Sequence, residues 1–237
     1  APFSIYKAVR KLLPGTWVVL NEADRQRRSI PQAHVYWSAH ETALQAGQNR
    51  LSFSSDKQAV EALEKVLSLS VKGQMMADVP LGAFLSGGVD SSVIVALMQA
   101  QSSPAVNTFS IGFHEEAFNE AEHAKAVAGH LGTRHTELYV TPDDALDVVP
   151  QLAAMYDEPF ADASQIPTAL VMRMARRHVT VALSGDGGDE LLGGYSRYFR
   201  AADWWHRRQS LPPGLRGPMA MFGRFAAGLL PAGYKKD

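Results

Sequence analysis

From Leu81 onward the chain alternates short apolar runs with stretches in which apolar residues recur at helical spacing. LGAFL (81–85) precedes a helix-compatible Ser91–Ala100, VNTFSIGF (106–113) precedes Glu120–Leu131, HTELYV (135–140) precedes Asp143–Met155, and a helical Ile166–Arg177 precedes VTVALS (179–184). Such alternation predicts an α/β fold, an open, doubly wound parallel sheet with helices on both faces. Sheets of this kind bind ligands beyond the carboxyl ends of their strands, near the switch in strand order. Ser86–Ser92, Ser110–Phe113 and Ser184–Glu190 all fall at such ends, so three segments distant in sequence are expected to share one crevice.

Upstream the pattern is weaker. Ile5–Leu20 mixes apolar and basic residues around Leu13-Pro14-Gly15, and Asn21–His34 is polar and charged, as a linker would be. Ser55–Gly73 carries Val60, Leu63, Val66, Leu67 and Val71 at helical spacing behind the capping candidates Ser54, Ser55 and Asp56. The expected divisions are 1–34, 35–205 and 206–237.

Composition narrows the classes. At 237 residues, 46% hydrophobic and 20% charged, the chain can support its own core. A net charge of −1 gives no electrostatic footprint for nucleic acid or an anionic membrane. No run reaches the apolar length of a membrane span and Ala1–Leu20 lacks a signal-peptide pattern, so a cytoplasmic location is expected. There is no Cys, which removes disulfides, thiolate metal sites and thiol nucleophiles.

The chemistry concentrates in Ser86-Gly87-Gly88-Val89-Asp90-Ser91-Ser92. A strand, a glycine turn and a helix N-terminus in succession make an anion site, because glycines admit close backbone approach and the first helical N–H groups lack intrahelical partners. A Walker loop would need a Lys where Val89 and Asp90 stand, and no third Gly completes a dinucleotide fingerprint here or at Gly185-Asp186-Gly187-Gly188. A bare Gly-Gly turn can be a plain connection. The complete heptapeptide between a strand and a helix points instead to phosphate. The second turn, Ser184–Glu190, crowds three carboxylates, Asp186, Asp189 and Glu190, which calls for a cation or a basic ligand unless the turn is a solvated helix cap.

S-G-G-x-D-S resembles the PP-loop of ATP pyrophosphatases, in which the acidic residue, here Asp90, ligates Mg²⁺ beside the polyphosphate. LSGGVDSS, FSIGF, NEAEHAKAVAGHLGTRH (119–135), DEPFADASQIPT (157–168) and LSGDGGDELLGGYSRY (183–198) recur in this order in the synthetase domain of glutamine-hydrolysing asparagine synthetases. β-Lactam synthetase and surface-polysaccharide amidotransferases are similar. The resemblance covers roughly Gln58–Trp205, while Ile5–Leu20 resembles the end of the glutaminase domain that precedes it. It therefore implies an adenine nucleotide alpha hydrolase-like fold, preceded over 1–34 by a glutaminase remnant and followed over 206–237 by the start of a helical part.

The resemblance also assigns roles. ATP would lie against the strand ends at Leu85 and Ile111, with Ser184 and Gly185 completing the nucleotide site. Ser86, Gly87, Gly88, Ser91 and Ser92 would cradle pyrophosphate, and Asp90 and Asp189 would hold Mg²⁺. Asp186 stands where many relatives carry Glu and would assist acyl-adenylate formation. Asp157, Glu158 and Asp162 lie in a segment resembling a substrate-facing loop. The implied reaction adenylates the side chain of aspartate, and ammonia then displaces AMP to give asparagine. In the full-length family member ammonia comes from glutamine through a catalytic Cys, which this chain lacks. A family Lys would fall past Asp237, so the chain is expected to be truncated at both ends. Two readings stay beside this one: a ligase for another carboxylate, such as a sugar acid or β-lactam precursor, and a MgATP-binding fragment without turnover. The partners expected are small molecules, with no nucleic acid and no membrane; the oligomeric state is open, a homodimer included.

Some residues are given bland roles. His123, His130 and His135 are expected on surfaces or helix faces, Met75 and Met76 in the core, and Trp204 and Trp205 in an amphipathic segment.

Overall fold

The computed structural model describes residues 2–114 and 119–210. Before the main sheet, β1 (Thr16–Trp17) and β2 (His34–Val35) pair antiparallel around α1 (Glu22–Arg27). The stretch expected to be a linker thus holds a helix. Its signal is a capping box: the Asn21 side chain accepts from Asp24 N–H, and the Asp24 carboxylate accepts from Asn21 N–H. α2 (Ala39–Gln48) has no counterpart among the expected elements, and α3 (Asp56–Gln74) starts at the expected Ser55 cap.

The sheet comprises β3 (Leu81–Phe84), β4 (Asn107–Phe113), β5 (Arg134–Val140) and β6 (Val181–Leu183), all parallel, in the spatial order β5-β4-β3-β6. The chain winds outward from β3 through β4 to β5, then returns to lay β6 on the other side of β3. Strand order therefore reverses between β3 and β6.

Helices cover both faces, as the sequence predicts. On one face Val71 of α3 packs with Ala83 and Leu85 at the end of β3, with Val95 and Met98 of α4 (Val89–Ala100), and with Ala124 and Ala128 of α5 (Ala121–Leu131). On the other, Val140 and Val148 of α6 (Pro142–Val148) meet Leu170 of α8 (Gln165–Ala175), and Phe109 packs on Met174 and Ala175 of α8. Period-two alternation in β4 sends Phe109 to the second face and Thr108 and Ser110 beneath the first. Fully burying a side chain such as Phe109, Leu85 or Met98 contributes about 2 kcal/mol.

The single helix expected over 143–155 is instead α6, a 3-10 turn (Val149–Gln151) and α7 (Leu152–Met155). Pro150 supplies no N–H and its ring crowds the preceding turn. α9 (Gly188–Leu192) and α10 (Ser196–Gln209) close the described chain, with Trp204 and Trp205 on α10 about half exposed. Met75 packs against the first cluster as expected, but Met76, two positions past the end of the helix, is 83% exposed. No helix among the described residues is long and apolar enough to cross a membrane.

Candidate functional site

β3 delivers the chain to the head of α4 through a turn in which Gly87 has φ +82°, a backbone region that disfavours side chains. A Cβ there would also sit 2.6 Å from Ala124 N and 2.7 Å from His123 Cβ, so the start of α5 backs the turn. His123 and His130 are exposed on α5, as expected. The turn is braced internally. Ser91 Oγ accepts from Ser86 N–H at 3.2 Å and lies 2.9 Å from Ser86 Oγ, which accepts from Gly88 N–H at 3.2 Å. Ser86 and Ser91 hydroxyls are therefore struts of the loop as well as candidate donors.

What the braced turn presents is backbone. The N-cap of α4 is Gly88, with no side chain capping the helix, and the first intrahelical bond runs from Ser92 N–H to Gly88 C=O at 3.1 Å. The amides of Val89, Asp90 and Ser91 form the helix head, where the macrodipole favours an anion. Ser92 Oγ is buried without a hydrogen-bond partner, a polar atom whose cost is relieved if a ligand or water meets it.

The second turn is pressed against this head. A Cβ on Gly185 would lie 2.7 Å from Ser91 N and 2.9 Å from Asp90 C, and one on Gly188 would lie 2.6 Å from Asp90 Cγ. Only glycine lets the end of β6 seat there, with the Asp90 carboxylate lodged over Gly188. Ser184 Oγ donates to Asp186 Oδ2 at 3.0 Å, and Gly188 N–H donates to Gly185 C=O at 3.2 Å. Asp189 follows Gly188 directly and lays its Oδ1 against Gly194. Glu190 accepts from Tyr195 OH at 2.8 Å, a bond that holds its carboxyl below the usual range and raises the phenol.

Leu85 and Ile111 sit at the carboxyl ends of the adjacent strands β3 and β4, next to the turn at Ser86. The Leu85 side chain is buried and its N–H donates to Phe109 C=O at 2.9 Å, leaving its contribution to the crevice to the backbone. Ile111 and Phe113 pack on the α6–α8 cluster together with Ile166 of α8, which brings the loop before α8, with Asp157, Glu158 and Asp162, to the carboxyl edge of the sheet. Asp162 accepts from Ser164 N–H at 2.9 Å, which lowers its pKa.

His135 corrects the sequence reading. It lies on β5 with a side chain only 10% exposed, Nδ1 2.9 Å from Thr108 Oγ1 and Nε2 3.1 Å from Ser110 Oγ. The signal was available in VNTFSIGF, where Thr108 and Ser110 put hydroxyls on a face otherwise meant for the core. Burial lowers the His135 pKa below its usual 6.5, against Glu137, which raises it. The unfolded ring takes a proton that the folded ring resists, so this contribution to stability is complete above about pH 6.5 and is lost as pH falls through the lowered folded value. The melting temperature should fall on acidification from neutral pH, and His135→Gln should flatten that slope; equal slopes in both proteins would contradict the assignment.

Fold and site together define a class: a doubly wound α/β protein with an uncapped helix head and an acidic glycine turn facing each other at the strand-order switch. Residues 62–235 match the asparagine synthase family profile. The chain is 38% identical over 196 residues to a putative glutamine-hydrolysing asparagine synthetase 2 of Methanocaldococcus jannaschii, covering 82% of this chain and 36% of that protein. A putative asparagine synthetase of Mycobacterium tuberculosis is 43% identical over 197 residues, 83% of this chain and 29% of its own length. Asparagine synthetase 1 of Bacillus subtilis is 39% identical over 157 residues, 66% of this chain and 24% of its own. Among solved structures, the NH3-dependent NAD synthetase of Campylobacter jejuni is similar at a TM-score of 0.41 and 13% identity, over 57% of this chain and 60% of that one. The chain belongs to the asparagine synthase family, and it spans about a third or less of the length of these curated relatives.

Proposed function

We propose that this chain is the ATP-using part of an amide-forming ligase that activates the side-chain carboxylate of aspartate. The carboxylate oxygen attacks the α-phosphorus of ATP, the bond to the β,γ portion breaks, and pyrophosphate leaves with the electron pair. Ammonia then attacks the acyl carbon, AMP departs, and loss of a proton leaves the amide of asparagine. Family membership supports the ligase class. The observation that carries the reading is the seating of Gly185 and Gly188 on Asp90 and Ser91, which puts an open helix head and an acidic turn on one crevice.

The amides of Val89, Asp90 and Ser91 would bind the departing pyrophosphate, with Ser92 Oγ as a further donor. Asp186 would orient the reacting carboxylate from the opposite turn. The donor set also fits a hard cation. Among the described residues no three His, Cys, Asp or Glu side chains cluster as a ligand set. Mg²⁺ needs no such cage, because it takes one or two carboxylates plus substrate phosphates and water. Asp90 and Asp189 would hold it, and when bound it would offset phosphate charge.

ATP–pyrophosphate exchange tests the reading, with Mg²⁺ and each candidate acid in turn. Exchange dependent on aspartate is the expected result. Dependence on another acid would move the substrate, and MgATP binding without exchange under any acid would remove the ligase assignment for this chain.

A further inference from the structure

The acidic loop ahead of α8 is fastened from the far end of the chain. Glu158 Oε2 accepts from Ile5 N–H at 3.1 Å, and its Oε1 is paired with the ammonium of Lys11. Next to it, Asp157 C=O accepts from Tyr6 OH at 3.0 Å. Both oxygens of one carboxylate and the neighbouring carbonyl are thus engaged by residues 147–153 positions away.

The fastening segment is itself preformed. Phe3 and Arg10 make an antiparallel bridge, Lys11 N–H donates to Pro2 C=O at 2.9 Å, and Ser4 Oγ donates to Val9 C=O at 3.0 Å while accepting from Tyr6 N–H at 3.1 Å. This closed turn presents Ile5 N–H, Tyr6 OH and Lys11 Nζ together. At the receiving end, Asp157 has φ +43°, a left-handed conformation that a side chain adopts only where its surroundings impose it. The contacts on Asp157 and Glu158 supply that constraint. The side chain of Glu158 is 22% exposed and that of Lys11 50%, so the carboxylate is partly shielded while its partner stays at the surface.

We propose that Glu158 is a positioning residue: through it the turn over residues 2–11 sets the backbone of the acidic loop 156–162 at the carboxyl edge of the sheet. The carboxylate spends both oxygens on the turn and does not contact the acid substrate. Asp157 and Asp162, the latter accepting from Ser164 N–H, are then the carboxylates of this loop that the tether leaves unengaged. The consequence for catalysis rests on the function proposed above; the tether itself does not.

Lys11→Met, Glu158→Gln and their double variant, made in the full chain, separate the possibilities by hydrogen exchange at the amides of the loop and by steady-state kinetics. Both single variants should speed loop exchange alike, and the double variant should go no further than either, since one interaction is removed each time. Lys11→Arg should restore slow exchange. In ATP–pyrophosphate exchange the expected signature is a KM for the acid raised about tenfold with KM for ATP unchanged, as follows from a misplaced loop away from the nucleotide. If Lys11→Met leaves the loop unchanged, or the two losses add, Glu158 is not a tether and the proposal is overturned. The exchange measurement needs no turnover: identical loosening in both variants without any acid-dependent pyrophosphate exchange would refute the proposed reaction and uphold the tether.

Discussion

Asp90→Asn is expected to lower Mg²⁺-dependent ATP affinity by about 100-fold, with little change in melting temperature. Asn keeps the size and shape of Asp90, so the seat over Gly188 survives. What is lost is a full negative charge from the first turn of α4. For helix stability that charge is a small favourable term with the macrodipole, about 0.5 kcal/mol. For a cation shared with phosphate, as in the function proposed above, it would be a ligand. Calorimetric titration of ATP with Mg²⁺ and again with a chelator separates these roles: the variant should match the parent in chelator and fall far below it in Mg²⁺. Equal affinities in Mg²⁺ would exclude Asp90 as a metal ligand.

Gly185→Ala is expected to weaken nucleotide binding by at least about tenfold through one added methyl. The new Cβ would meet Ser91 N at 2.7 Å and Asp90 C at 2.9 Å. Both are backbone atoms in the first turn of a helix, and neither can yield as the tip of a flexible side chain would. Relief requires the second turn to back away from the helix head, at a cost of about 1–3 kcal/mol by analogy with overpacked cores. Gly129→Ala is the matched control. Gly129 lies within α5 with nothing within 4 Å of an added methyl, so helix propensity alone acts and stability rises by about 0.5–1 kcal/mol. A Gly185→Ala protein that binds ATP normally would show that the two turns need not touch for the site to work.

The parallel sheet, its flanking helices and the turns were legible because each announces itself locally. Alternating runs mark the strands, Ser55 marks the start of α3, and S-G-G-x-D-S marks a strand-to-helix turn. The apposition of Gly185 and Gly188 with Asp90 was not legible, since close packing of two backbones leaves only small residues behind and the sequence does not say what fills the space. α1 was hidden by polarity: its stability comes from a reciprocal cap between Asn21 and Asp24 and from Glu22 with Arg25, not from an apolar stripe. The burial of His135 is written not at the histidine but across the ladder on β4, where Thr108 and Ser110 place hydroxyls on a core-facing side of the strand. Asp157 and Glu158 look like substrate groups because acidic residues near a crevice usually invite that reading. Only the three-dimensional contact with Ile5, Tyr6 and Lys11 shows what occupies one of them.

The strand order has a consequence for assembly. The two halves of the crevice hang from neighbouring strands, yet among the described residues β6 is the last of the sheet's strands in chain order and pairs with β3 alone. A nascent chain can complete the helix head on β3, α4 and β4 long before the opposing wall exists. Any nucleotide that requires both walls binds only after β6 docks, and by mass action it then secures that docking. Ligand occupancy would accordingly report, and reinforce, the docking of β6 on β3.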